Sequence, residues 1–137
     1  MTTVGVPTEI KADERRVGLT AAGAHELVLH GVDVLVQEGA GVGSAIEDDE
    51  YVAAGAMIVP TADDAWSADI VCKVKEPQIT EFGFLRSDLT LYTYLHLAAY
   101  PGVADALLAA GTTGIAYETV EIDGDLPLLA PMSEVAG

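Results

Sequence analysis

The chain has 137 residues, with 22 acidic and 6 basic side chains, a formal net charge of −16 and a hydrophobic half. That length carries one domain with a core, and the apolar content excludes a disordered polyelectrolyte. The negative charge excludes nucleic acid and anionic membranes as partners, and no apolar run is long enough to span a bilayer. The N-terminus lacks a basic segment followed by an apolar one, so a cytoplasmic location is expected. The one cysteine, Cys72, admits no intrachain disulfide, which suits a reducing compartment. No metal site is expected.

Thr3 to Pro7 reads as a first strand, and Thr8 to Arg16 as a polar loop holding three of the six basic residues. Thr20 is placed to cap a helix that runs to about His30, with Gly31 as its stop. Val32 to Val36 is a second strand. The Gly39-Ala40-Gly41-Val42-Gly43 stretch and a helix from Asp48 to Ala54 follow. G-x-G-x-G is not the dinucleotide fingerprint, and Glu47, Asp48, Asp49 and Glu50 stand where a pyrophosphate would dock. Met57 to Val59 is a third strand. Thr61 starts a helical turn, and Trp66 is assigned to the core. Asp69 to Lys75 is the fourth strand, followed by a short helix or loop over Gln78 to Phe84. Thr90 to Leu95 is the fifth strand, with His96 at its end. Pro101 opens a helix to about Ala110, stopped by Gly111. Thr113 to Tyr117 is a sixth strand. A turn centres on Asp123-Gly124, and Pro131 to Gly137 begins another helix. Strand alternates with helix throughout, which predicts a three-layer α/β domain on a mostly parallel sheet.

With so few cations, their placement carries information. Lys73 and Lys75 are i and i+2 in an otherwise apolar strand and share a face if it stays extended. Pro77 ends that strand. Lys75 then stands at the carboxyl edge of the sheet, where open α/β sheets bind ligands. Arg16, in the loop after the first strand, and His96, at the end of the fifth, belong to the same edge. An arginine fork suits a carboxylate, a lysine polarises a carbonyl oxygen, and a histidine moves a proton near neutral pH. The trio reads as a site for a small anion such as a 2-oxo acid. Each residue also has a plainer role open to it: a surface charge for Arg16, a pair with Glu76 for Lys75, and a backbone-satisfied core-edge position for His96. Tyr92 and Tyr94 share the face of His96 by strand parity and either wall the same cleft or fill core.

These residues fall in motifs. Gly5-Val6-Pro7-Thr8-Glu9, Glu14-Arg15-Arg16-Val17, Lys73-Val74-Lys75-Glu76-Pro77, His96-Leu97-Ala98-Ala99, Ala116-Tyr117-Glu118-Thr119 and the run from Leu128 to Gly137 together resemble the N-terminal part of the alanine dehydrogenase family. The resemblance covers essentially the whole chain, in order. It implies a Rossmann-like (flavodoxin-like) substrate-side domain over residues 1–130. Residues 131–137 would start the helix that leads to a separate NAD-binding domain, whose glycine fingerprint is not in this sequence. It also implies a homo-hexamer that interconverts L-alanine with pyruvate and ammonia using NAD. By the same resemblance Arg16 grips the substrate carboxylate, Lys75 contacts and polarises the substrate, and His96 is the acid/base residue. Met132 lies near the substrate and Ser133 near the nicotinamide. Ala21 replaces the family's usual proline at the helix entry. Because the family's substrate domain also recruits C-terminal helices, one face of the sheet is expected to be undercovered. The transhydrogenase alpha subunit and lysine-forming saccharopine dehydrogenases are related alternatives. A non-catalytic domain that binds a small 2-oxo acid is a third.

Overall fold

The computed structural model describes residues 1–131. Six parallel strands form one sheet: β1 (Thr3–Val6), β2 (Asp33–Gln37), β3 (Met57–Val59), β4 (Ile70–Cys72), β5 (Thr90–Thr93) and β6 (Thr113–Ala116). Their order is β3-β2-β1-β4-β5-β6. This is the order of a doubly wound dinucleotide-type sheet and differs from the 2-1-3-4-5 order of flavodoxin. Four helices connect the strands: α1 (Ala21–Leu29), α2 (Asp48–Ala53), α3 (Ala62–Trp66) and α4 (Pro101–Ala110).

Strand alternation explains the three layers. Val4, Val6, Val34 and Val36 point to one face, where they pack with Ala24 of α1 and Tyr51 of α2. Val71 and Leu91 point to the other face, where Trp66 of α3 and Val103 and Leu107 of α4 complete a second core. Trp66 also stacks on Phe84, with centroids 5.2 Å apart. Each face therefore has its own helices, and both faces of the central strands read as apolar in the sequence.

The helix boundaries follow the local chemistry. Thr20 Oγ1 accepts from the Gly23 amide at 3.1 Å, and Gly31 turns the chain out of α1 at a φ of 83°. Glu47 and Glu50 form a reciprocal capping box at the start of α2. That box occupies the backbone amides a pyrophosphate would need, so the described residues do not fit a dinucleotide there. Pro101 stands in the first turn of α4, and Gly111 ends it at a φ of 72°. Asp123 and Gly124 both have positive φ and close a tight turn bridged by Ile122 and Asp125.

Gly5 faces α3 at a point of close approach. A Cβ there would stand 1.8 Å from the Ala65 carbonyl oxygen, a backbone atom that cannot swing aside. Gly5→Ala is expected to destabilise the domain by about 3 kcal/mol through overpacking. A urea melt in which the variant matches the parent would show that α3 can shift freely.

The sheet is unevenly covered. On the face that carries α1 and α2, the neighbours Cys72, Tyr92 and Ile115 run outward across β4, β5 and β6. Ile115 is 40% exposed, and among the described residues no helix lies over it. Along this row, Cys72 and Tyr92 are half-buried and only the edge residue Ile115 is exposed.

Candidate functional site

The order β3-β2-β1-β4-β5-β6 reverses direction between β1 and β4, so the loops leaving those strands diverge at their carboxyl ends. A doubly wound sheet binds its ligand at such a crevice. Arg16 lies in the loop after β1, Lys75 three residues beyond β4, and His96 three residues beyond β5.

The fourth strand is shorter than the expected Asp69 to Lys75. It ends at Cys72, and the reason is Glu9. The Glu9 carboxylate, buried near the start of the loop after β1, accepts the Val74 and Lys75 amides at 3.0 and 3.1 Å. These amides bond a side chain where a regular strand would bond its neighbour, and the segment leaves extended geometry. The two lysines consequently do not share an exposed face. Lys73 is 1% exposed and points inward, with its ammonium 3.0 Å from Glu9 and 3.4 Å from Glu81. Burial pushes the Glu81 carboxyl above its ordinary value, and Glu9 adds to this while Lys73 opposes it. One ammonium between two buried carboxylates leaves a surplus negative charge, which Glu81 can shed by holding its proton.

A second staple ties the same loops together. Lys11 pairs with Glu76, which is 3% exposed, and lies over the Tyr100 ring at 4.6 Å. Burial works to raise the Glu76 carboxyl, but bonds from Lys11, its own amide and Gln78 outweigh it, so Glu76 ionises below the ordinary carboxylate value. Glu76 is thus the partner of Lys11 and not of Lys75.

Arg16 is held from within its own loop. Glu14 accepts from Arg16 Nε at 2.9 Å, from Nη2 at 2.7 Å and from the Arg16 backbone amide at 2.9 Å. These bonds lower the Glu14 pKa and raise that of Arg16. The Lys75 charge also helps to lower Glu14, and the Arg16 charge reaches Tyr94. Gly18 lets this loop lie against the end of β4, since a Cβ there would stand 2.4 Å from the Cys72 carbonyl oxygen.

His96 is exposed and has a left-handed backbone, with φ at 48°. The fifth strand ends at Thr93, so strand parity does not govern its direction. Its ring stacks on Tyr94 with centroids 6.3 Å apart and meets Tyr100 edge-on at 6.5 Å. Its amide and that of Leu95 both donate to Glu118 Oε1, at 2.9 and 3.0 Å. Tyr117 packs edge-on against both Tyr92 and Tyr94. These three tyrosines wall a cleft of about 300 Å³ with Gly18 and Val74, while His96 opens onto another of about 480 Å³. Burial raises the phenols of Tyr94 and Tyr117, so both stay neutral donors at neutral pH.

The structure therefore brings Arg16, Lys75 and His96 to one sheet edge, linked through Glu14 and Tyr94. Met132 and Ser133 lie outside the described residues. The other cations are accounted for. Lys73 and Lys11 staple loops, and Arg86 donates to the Trp66 and Ala68 carbonyl oxygens at the end of α3. Arg15 is exposed. Lys75 is half-buried, and among the described residues no carboxylate lies within ion-pair distance of its ammonium. Cys72 is a half-buried thiol pushed up to about 11 by burial, which makes it inert.

Sequence reasoning followed the cations and missed the acids that place them: Glu9, Glu14 and Glu118. One signal was available. A lysine in an apolar strand needs a buried counter-charge, and Glu9 follows the neighbouring strand directly.

The ion pairs predict an acid limit. Glu14 and Glu76 titrate below the ordinary value, so their stabilisation is complete above about 4.3 and is lost as pH falls through their lowered values. Glu81 has the opposite sign, contributing most below its ordinary value and less as pH rises through its raised one. The urea midpoint should fall on acidification below about 4, and less steeply in Glu76→Gln. An unchanged slope in that variant would dismiss the Lys11–Glu76 staple as a source of stability.

Comparisons with known proteins show the family of the chain. A family described as "Alanine dehydrogenase/PNT, N-terminal domain" matches residues 5–136. The chain belongs to that family. It is 60% identical over 135 residues to the alanine dehydrogenase of Bilophila wadsworthia strain 3_1_6, a match covering 98% of this chain and 36% of that protein. The alanine dehydrogenase of Bacillus subtilis strain 168 is 52% identical over 134 residues, covering 98% of this chain and 35% of that protein. A solved L-alanine dehydrogenase superposes with a TM-score of 0.96 at 48% identity, covering 98% of this chain and 38% of that one. A transhydrogenase from Sinorhizobium meliloti superposes with a TM-score of 0.80 at 34% identity, over 85% of this chain and 33% of that one. The alanine dehydrogenase/PNT N-terminal domain thus accounts for nearly all of the chain, which spans little more than a third of these relatives.

Proposed function

We propose that this chain is the substrate-side part of an NAD-dependent L-alanine dehydrogenase. The reaction is L-alanine + NAD⁺ + water to pyruvate + ammonium + NADH + H⁺, and its reverse. What supports the reading is that Arg16, Lys75 and His96 follow β1, β4 and β5 at the carboxyl edge of the sheet, in a chain 60% identical to a curated alanine dehydrogenase. Arg16 holds the substrate carboxylate. Lys75 faces the carbonyl oxygen of pyruvate and favours the negative charge that develops there. His96, exposed beside Tyr94, gives and takes the proton at the substrate heteroatom. By family likeness Met132 is assigned to the substrate and Ser133 to the cofactor side.

NAD supplies or accepts the hydride, and it is held by residues beyond this domain. The described residues do not fit it, since the capping box of Glu47 and Glu50 fills the glycine-rich turn's helix start. The 137-residue chain by itself is therefore inactive in hydride transfer. The active form is a cytoplasmic homo-oligomer, a hexamer by family likeness. None of its described helices is long and apolar enough to cross a membrane.

The test is alanine-dependent NAD reduction, and pyruvate- and ammonia-dependent NADH oxidation, by a full-length polypeptide carrying this chain. A turnover specific to alanine supports the reading. A folded full-length protein that reduces NAD with no small amino acid would overturn it. Should such a protein still bind pyruvate in a calorimeter, the domain is a 2-oxo acid binder.

A further inference from the structure

The Ala116-Tyr117-Glu118-Thr119 segment has no part in the reaction as described above, yet it ends against His96. After β6 the chain makes a single 3₁₀ turn over Tyr117–Thr119, closed by the Val120 amide on the Tyr117 carbonyl oxygen. That turn lays Glu118 across the end of the neighbouring strand β5. Glu118 Oε1 accepts two consecutive backbone amides, Leu95 at 3.0 Å and His96 at 2.9 Å. Oε2 is buried and has no hydrogen-bond partner among the described residues.

Two consecutive amides converge on one oxygen only where the backbone bends away from extended geometry. The left-handed φ of 48° at His96 supplies that bend. A histidine in this region is strained and persists where its surroundings hold it. The His96 carbonyl oxygen in turn accepts the Ala99 and Tyr100 amides, which start the approach to α4. The bend sets the His96 ring on Tyr94. Tyr117, next to Glu118, packs edge-on against Tyr94 from β6. The neighbouring strand end shows a related device, where Glu9 accepts the Val74 amide on Oε2 and the Lys75 amide on Oε1.

We propose that Glu118 is a positioning residue: it binds the Leu95 and His96 amides and so fixes the left-handed turn that presents the His96 imidazole to the substrate. This inference rests on the role given to His96 above. Glu118 acts on the backbone and carries no proton in the reaction. What it supplies is a correctly placed acceptor oxygen, which glutamine can supply and alanine cannot.

The experiment compares Glu118→Ala, Glu118→Gln and His96→Ala in the full-length polypeptide carrying this chain, each assayed well below its own melting temperature. Loss of orientation by about an ångström costs on the order of 100-fold, so kcat for reductive amination of pyruvate should fall about 100-fold in Glu118→Ala. KM should stay within about threefold, because the Arg16 and Lys75 contacts remain. Glu118→Gln should recover most of the rate. A Glu118→Ala variant with wild-type kcat and only a lowered melting temperature makes Glu118 a plain structural cap and overturns the proposal. Equal losses in the alanine and glutamine variants overturn it too, since the charge or a proton would then be what matters. If His96→Ala loses its rate while Glu118→Ala does not, this inference fails and the reading of His96 stands. If His96→Ala keeps the wild-type rate, the role of His96 falls and this inference falls with it.

Discussion

Lys73→Ala is expected to destabilise the domain by about 3–5 kcal/mol. The side chain is 1% exposed and is the one cation set between the buried Glu9 and Glu81 carboxylates. Removing one partner of a buried ion pair costs about 3–5 kcal/mol, because the remaining charge keeps its desolvation cost and loses its attraction. That loss is about a third or more of a total stability of about 10 kcal/mol, the middle of the usual range of about 5–15 kcal/mol. Lys73→Met should do little better. It restores apolar volume but still leaves two carboxylates facing each other, and Glu9 must go on bonding the Val74 and Lys75 amides. The two acids should differ. Burial raises the Glu81 pKa and so disfavours its charged form, and Glu81 accepts fewer bonds in the cluster than Glu9, so Glu81→Gln is the milder change. Glu9→Gln turns its amide NH₂ toward at least one of three donors and should be severe. Urea denaturation followed by circular dichroism measures the order. Lys73→Met as stable as the parent would mean that the cluster contributes nothing net to stability.

His96→Ala and Lys75→Ala should each remove most of the alanine dehydrogenase activity of the full-length polypeptide, for different reasons. A positioned acid/base group contributes about 10²–10⁴-fold, so His96→Ala should lower kcat by that order. A cation aimed at developing oxyanion charge contributes about 10²–10³-fold, which sets the expected loss for Lys75→Ala. Neither change should unfold the domain. His96 is exposed, and the Lys75 ammonium has no ion-pair partner among the described residues. What anchors the Lys75 segment is its backbone, through the amide on Glu9 and the carbonyl oxygen that accepts from Thr93 at 2.8 Å. Steady-state kinetics in both directions, with a melting curve for each variant, checks this. If both variants keep the parent rate, the three cationic residues are not the catalytic set.

The contrast between Lys73 and Lys75 also shows where reading a sequence succeeds and where it stops. Both lysines follow the same apolar run and look alike from their spacing. One becomes the centre of a buried ion cluster, and the other stands at the switch point. Nothing local separates them. Glu9 does, from 64 residues away in sequence from Lys73, by drawing the Val74 and Lys75 amides out of the sheet ladder. The same holds for His96. Its place after an apolar strand was legible, but its left-handed backbone and the two amides on Glu118 depend on the turn that follows β6. Tyr94 and His96 do meet, through that turn, not through the strand parity that suggested it.

The sequence by itself determined the alternation of strand and helix, the caps at Thr20, Pro101 and Gly111, and the candidate set of Arg16, Lys75 and His96. Those follow from periodicity, from side chains that satisfy the nearest backbone groups, and from the scarcity of positive charge. Tertiary structure alone decided the strand order that places the switch point between β1 and β4. It also decided which lysine is buried and which acids hold the loops. These are matters of long-range pairing. A buried charge must find a counter-charge wherever the fold brings one, and a strand ends where a carboxylate from another loop competes for its amides.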